Sequence, residues 1–187
     1  MCLILMGKGA SGKDTVKDIL VKKHGFHSIV TYTTRPMRKG EIPDITYHYI
    51  QENEFLQKIK SNFFAEWKKY TINGDIWYYG SAKEDLESTD EDTVVILTPD
   101  GIRDIRKNGI DATVIYLYSN LNTIRKRLKF RNDSNDAVED RIQRDIKLFK
   151  DAESLADRII YNNENTNIND LIDNVIFHYK TIREKVK

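Results

Sequence analysis

The stretch Gly7-Lys8-Gly9-Ala10-Ser11-Gly12-Lys13-Asp14-Thr15 carries the plainest chemistry in the chain. Three glycines let the backbone turn tightly and come close to an anion. Successive backbone N–H groups then converge on phosphate oxygens at the positive end of a helix. Lys13 adds a mobile point charge that reaches the outer phosphates of a nucleotide. The spacing fits G-x-x-x-x-G-K, but the next residue is Asp14 rather than a hydroxyl, and Thr15 follows. A hydroxyl there commonly ligates Mg²⁺. A carboxylate repels phosphate unless a metal or its water shell lies between.

Three further clusters have chemical potential. Arg35 and Arg38 lie three apart in the polar loop Thr33–Glu41, broken by Pro36 and Gly40. Two guanidinium forks among threonines suit a dianionic phosphate; a solvated basic loop would use the same residues. Glu66 stands in an aromatic setting, Phe63-Phe64-Ala65-Glu66-Trp67, ahead of Trp77-Tyr78-Tyr79-Gly80-Ser81. Glu66 with Tyr79 and Ser81 could hydrogen-bond a planar polar ring, or the aromatics could simply be core. Arg127, Arg131, Arg141 and Arg144 flank the polar turn Arg131–Asp136. Arginines on two helices hinged at such a turn could close over phosphates and stabilise charge in transit. Pairing with Asp140 and Asp145 at the surface is the plainer role for them.

These residues need elements to position them. Cys2–Met6 is a short apolar run and Val16–Val21 has helical spacing, so the glycine loop sits between strand and helix, the context a phosphate loop requires. The helix is expected from Lys13 to about His24, with Gly25 as its stop. Phe26–Thr31 reads as a second strand. A short strand over Thr46–Ile50 and a helix over Glu52–Lys60 follow. Asn73-Gly74 is a hairpin signal. A helix is expected from Ala82 to about Ser88. Thr93–Leu97 and Ala112–Tyr118 are continuous apolar runs, the mark of strands buried on both faces. Pro99 opens a helix between them. Asn120 or Asn122 caps another, and a further helix is expected over about Ala137–Leu155. Arg158–Tyr161 is a last strand, and Ile168 to about Lys185 a final helix. Apolar strands alternating with helices predict a parallel, doubly wound α/β sheet.

With 187 residues the chain is expected to form one domain with a substantial core. Thirty Lys and Arg against 29 Asp and Glu leave no global pull toward nucleic acid or membrane, so anion binding has to come from local clusters. One cysteine, Cys2, excludes an internal disulfide. Four scattered histidines give no spacing for zinc or a redox metal. Without an apolar run of membrane length or a charged leader, a cytoplasmic protein is expected.

Taken in order, these segments resemble guanylate kinase, and the resemblance covers essentially the whole chain. Thr33-Thr34-Arg35-Pro36-x-Arg38-x-Gly40-Glu41, then Tyr47-His48-Tyr49, resembles the family's phosphate-gripping segment. Phe64-x-Glu66-Trp67 with Tyr78-Tyr79-Gly80-Ser81 is similar to its guanine pocket. Arg127, Arg131 and Arg141 resemble its lid, and Arg158–Asn163 the strand and loop before the last helix. The resemblance implies a P-loop kinase core with a parallel sheet flanked by helices over 1–31, 83–130 and 156–187. It adds a small β-rich insertion that binds the nucleoside monophosphate over 32–82 and a helical lid over about 131–155, all in a single domain of residues 1–187. It implies that Arg35, Arg38, Tyr47 and Tyr79 bind the phosphate of GMP and that Glu66 and Ser81 bind the guanine edge. The loop from Gly7 through Lys8, Gly9, Ala10, Ser11, Gly12, Lys13, Asp14 and Thr15 would hold ATP with Mg²⁺, and Lys13, Arg131 and Arg141 would stabilise the transferring phosphoryl group. Guanine offers two adjacent donors to one carboxylate and adenine does not, so a buried Glu66 would select guanine. Four departures stand out. Asp14 replaces the loop hydroxyl. Thr31 stands where a serine is frequent near the base. Ile96 and Thr98 occupy an Asp-x-Asp pattern, with Asp100 as a shifted substitute. Lys68–Ile76 looks longer than the usual turn, and the lid turn slightly shorter. A related kinase for another nucleotide or ribosyl phosphate, and an inactive binding module on the same fold, are the alternative readings.

Overall fold

The computed structural model describes residues 1–72, 74–87, 92–130 and 135–186. In chain order the strands are β1 (Cys2–Met6), β2 (His27–Ser28), β3 (Tyr32–Thr33), β4 (His48–Tyr49), β5 (Phe64–Ile72), β6 (Asp75–Ala82), β7 (Thr93–Ile96), β8 (Ala112–Tyr118) and β9 (Arg158–Tyr161). The helices are α1 (Lys13–Lys23), α2 (Glu52–Lys60), α3 (Lys83–Glu87), α4 (Pro99–Lys107), α5 (Leu121–Phe130), α6 (Asn135–Leu148) and α7 (Ile168–Val186), with a 3-10 turn at Ala152–Leu155.

A run of five apolar residues cannot offer either face to water, so β1 belongs in the middle of a sheet covered on both sides. The parallel sheet has the order β2-β7-β1-β8-β9 and puts it there. Side chains alternate along the strand. Leu3 and Leu5 pack with Val16 and Leu20 of α1 and with Leu171, Val175 and Tyr179 of α7. Ile4 and Met6 pack on the other face with Ile102 and Ile105 of α4 and with Phe149 and Ala152. The second, four-stranded sheet has the order β4-β3-β6-β5 and carries its own aromatic cluster of Phe55, Phe64 and Tyr78.

The expected α/β architecture stands, and some of its elements need correcting. The strand expected over Phe26–Thr31 pairs with β7 only at His27 and Ser28, and Ile29 N–H still donates to the Val94 carbonyl at 3.0 Å. Beyond it the chain crosses to the second sheet, so Thr31 lies in the crossing and not in the core sheet. The strand expected over Thr46–Ile50 shortens to β4. The helix expected over Ala137–Leu155 divides into α6 and the 3-10 turn. Burying Phe149 against Tyr116 (ring centroids 6.1 Å apart) and Ala152 in the same core face requires that break. The hairpin expected at Asn73-Gly74 closes β5 on β6, with Ile72 opposite Asp75 and Gly74 at φ 89°; Asn73 lies outside the described residues.

Candidate active site

The phosphate loop leaves the C-terminal end of β1, the centre of the sheet, and runs into α1. Gly12 caps α1 with φ 98°, a backbone that glycine tolerates best. A Cβ there would also stand 2.4 Å from Asn162 Nδ2. Asn162 is buried and donates to the Ser11 carbonyl at 2.8 Å. Arg127, from α5, donates to the Ala10 carbonyl at 3.2 Å and to Asn162 Oδ1 at 3.3 Å. The loop carbonyls are thus taken up from outside by Asn162 and Arg127. Lys13 Nζ donates to the Lys8 carbonyl at 2.9 Å across the loop. Ser11 Oγ is fully buried with no hydrogen-bond partner. Beside the loop a cavity of about 530 Å³ is lined by Ala10, Gly12, Thr15, Thr123, Lys126, Arg127, Phe130, Asn162 and Glu164, among others. It has room for a nucleoside.

A second cavity, about 230 Å³, lies between the two sheets, lined by Thr31, Tyr47, Glu66, Lys68, Tyr70, Tyr79, Gly80, Ile96, Leu97 and Thr98. Strand alternation puts Glu66, Lys68 and Tyr70 of β5 on one face. Opposite Glu66 in the ladder is Ser81, which donates to Glu66 Oε1 at 2.7 Å. Glu66 is buried, and burial pushes its carboxyl up to about 7 although Ser81 and the charge of Lys68 pull it down. Lys68 is anchored to Asp104 of α4 at 2.7 Å. Thr98 caps α4, its Oγ1 accepting from Gly101 N–H at 3.2 Å, which leaves its hydroxyl proton for another acceptor.

At the outer end of this cavity stands Arg35, itself buried. Its Nε donates to the Tyr79 hydroxyl at 3.1 Å, and the Tyr47 ring centroid lies 5.5 Å from the guanidinium carbon. A further guanidinium nitrogen donates to Glu41 Oε1 at 2.7 Å. Glu41 also accepts the Arg38 backbone N–H at 2.6 Å and the Tyr49 hydroxyl at 2.7 Å. Arg35, with those further bonds, holds the Glu41 carboxyl down at about 2. Asp14 is exposed at the first turn of α1. Burial raises the Tyr47 phenol, with the charges of Tyr79, Glu41 and Asp14 adding to it and Arg35 opposing.

The structure brings together Thr31, Arg35, Tyr47, Glu66, Tyr79, Ser81 and Thr98 at one cavity. It brings Ala10, Gly12 and Thr15 together with Arg127 and Asn162 at the other, and sets Arg141 against Gly9 of the same loop. Arg38 is exposed, and its backbone N–H rather than its guanidinium makes the recorded contact. Arg131 lies outside the described residues. Asp100 is absent from the cavity lining and pairs with Arg103 at 2.7 Å, the two lying three residues apart on one face of α4. Arg144 reaches the Asp140 carbonyl at 3.3 Å rather than a carboxylate. Sequence reasoning gave no site role to Glu41 or Lys68, or to Asp145, which accepts from the loop N–H of Gly9 at 2.6 Å. An acid three residues after Arg38 was a signal for Glu41. Period-two counting from Glu66 was one for Lys68. Nothing local signals Asp145.

A glycine loop at the end of a central parallel strand, with a polar cavity built on a separate small sheet, defines a P-loop kinase fold. The family model described as guanylate kinase matches residues 1–179. A guanylate kinase of Fusobacterium nucleatum is 30% identical over 86% of this chain and 87% of its own. The crystal structure of a guanylate kinase from Anaplasma phagocytophilum superposes with a TM-score of 0.69 at 19% identity, covering 99% of this chain and 85% of that one. The YorR protein of Bacillus subtilis, solved in complex with phosphorylated GDP, gives 0.55 at 18% identity over 98% of both chains. The chain belongs to the guanylate kinase family.

Proposed function

We propose that the protein transfers the terminal phosphoryl group of ATP to the phosphate of GMP, giving ADP and GDP. The observation that carries this reading is Glu66: a buried carboxylate, already accepting from Ser81, in a cavity sized for a base. Guanine supplies two neighbouring donors to such a carboxylate, and any base without them leaves it unpaired at several kcal/mol. Thr31 and Thr98 offer hydroxyls to the same ring. Arg35, Tyr47 and Tyr79 stand where the acceptor phosphate would lie, and Arg38 would have to swing inward to join them.

The donor triphosphate would lie on the amides of Gly7–Gly12, with Lys13 on its outer phosphates and its nucleoside in the cavity beside Arg127 and Phe130. Transfer needs no covalent intermediate. The acceptor phosphate oxygen attacks in line, the bond to ADP breaks, and the arriving charge is met by Lys13 and Arg141, with Arg131 of the lid sharing this role. Mg²⁺ bound with ATP would supply positive charge to its outer phosphates. Such an ion takes few protein ligands and keeps waters. Asp14 and Thr15, at the loop's exit, and the unpartnered Ser11 hydroxyl are oxygen groups that fit this donor set. Residues 32–82 would move inward to exclude water. A cytoplasmic location goes with this reading, since both nucleotide substrates are there.

The test is ADP production from Mg²⁺-ATP with GMP, dGMP, AMP, CMP and UMP offered separately. Turnover with GMP, alone or with dGMP, is expected. Preference for any non-guanine nucleotide would overturn the role given to Glu66. A Lys13→Ala variant that still transferred phosphoryl at the parent rate would overturn the donor site.

A further inference from the structure

Asp145 sits on α6 four residues after Arg141, so both side chains project from one face of that helix. That face lies on the phosphate loop. A Cβ built on Gly9 would come within 2.7 Å of Arg141 Nε and 3.0 Å of Asp145 Oδ2. The helix is held down by Val138 and Ile142, which pack with Ala10 of the loop and with Ile124 and Leu128 of α5. Asp145 Oδ2 accepts from Gly9 N–H at 2.6 Å, across 136 residues of sequence.

A carboxylate oxygen and a phosphate oxygen ask the same thing of a backbone N–H, a short charge-assisted hydrogen bond. Gly9 N–H is one of the donors the loop would turn toward a triphosphate. It cannot serve both anions, and a phosphate seated on it would meet the Asp145 carboxylate at contact distance, where like charges repel most. Arg141 is carried on the same rigid helix. Expelling Asp145 therefore means moving the segment that brings Arg141 to the phosphates.

We propose that Asp145 is the phosphate loop's resident anion. It is a positioning residue that holds α6 and Arg141 on the nucleotide-free loop and that the donor triphosphate displaces, so that ATP binding and movement of α6 are one event. The inference deepens the proposed reaction and rests on the loop being its donor site. Two consequences separate it from a merely structural tie. Removing the carboxylate tightens ATP binding instead of weakening it, and it loosens α6 only while ATP is absent.

The experiment measures ATP dissociation constants calorimetrically on the intact protein, without acceptor, for the parent, Asp145→Asn and Asp145→Ala. Hydrogen exchange of α6 is followed with and without ATP. Asp145→Ala is expected to bind ATP about tenfold more tightly, a gain of about 1.4 kcal/mol. Asp145→Asn keeps an acceptor for Gly9 N–H and loses the charge, so it is expected to fall between and serves if the alanine variant does not fold. In steady state both variants should lower KM for ATP and leave KM for GMP within about twofold, with faster exchange in α6 confined to the ATP-free protein. Equal or weaker ATP binding by the folded variants would overturn this inference alone. Absence of ATP binding in all three proteins, the parent included, would overturn the donor-site reading and the inference together.

Discussion

Glu66 works against its own burial. The folded protein holds its carboxyl near 7, above the usual 4.5, chiefly because burial disfavours the charge. The folded state therefore binds this proton more tightly than the unfolded chain does. The resulting stability is complete below about pH 4.5 and is lost as pH rises through 7, an effect of about 3 kcal/mol. The base recognition proposed for Glu66 runs the other way, since the two guanine donors need the ionised form. GMP affinity is expected to rise about tenfold between pH 6 and pH 8, with proton release visible as a buffer-dependent binding enthalpy. The phosphate of GMP titrates near pH 6 by itself, so Glu66→Gln is the control: it should keep the phosphate's share and lose the rest. The same variant is expected to cut kcat/KM for GMP about a hundredfold, by leaving a guanine donor unmet. It should also raise the denaturation midpoint above pH 7 by removing a buried charge. A variant more stable and less active at pH 8 would carry both signs. Glu66 could be singled out in the sequence because it is an acid amid aromatics. Asp145 was not, because its partner is a backbone N–H with no side chain to advertise it.

Among the elements, those buried on both faces were the readable ones. β1, β7 and β8 announce themselves as unbroken apolar runs, and α4 by the proline at its first turn. The short strands β2, β3 and β4 were not legible to the residue, because two-residue strands owe their existence to the partner they meet: β3 is set by its pairing with β6 and β4. Thr98, marked in the sequence only by its place in the Asp-x-Asp pattern, works as a cap. As the N-cap of α4 it accepts from Gly101 N–H, and a Cβ on Gly101 would stand 3.2 Å from Glu66 Oε2. The start of this helix thus fixes one wall of the base cavity. Thr98→Val is expected to lose about 1 kcal/mol of stability as the cap goes, and to weaken GMP more than ATP in steady-state KM. Thr98→Ser, which keeps the hydroxyl, should restore both. Denaturant unfolding beside kinetics checks the pair.

The molecule as a whole is clasped at the end opposite the loop. The Tyr179 hydroxyl of α7 lies 2.6 Å from the Met1 carbonyl oxygen and 2.8 Å from Asp92 Oδ1, and Arg183 joins the same carboxylate. This ties the last helix to the start of β1 and the approach to β7, with the Tyr179 ring packed 5.2 Å from Phe26. Tyr179→Phe keeps the packing and removes the single hydroxyl proton that the Met1 carbonyl and Asp92 share, so a loss of about 1–2 kcal/mol is expected. In a domain of this size that lowers Tm by roughly 3–6 °C, without change in either KM, because the clasp and the loop are at opposite ends of β1. At the other end, both groups proposed to grip phosphate are already held by the protein's own carboxylates, Asp145 on the Gly9 N–H and Glu41 on Arg35. A free orthophosphate or sulfate ion would have to evict one of them with a single group and little else to hold it. A nucleotide brings a base and a ribose to anchor it while its phosphates compete. The resting molecule thereby screens its ligands by how many points they can grasp at once, and common inorganic anions should pass it by.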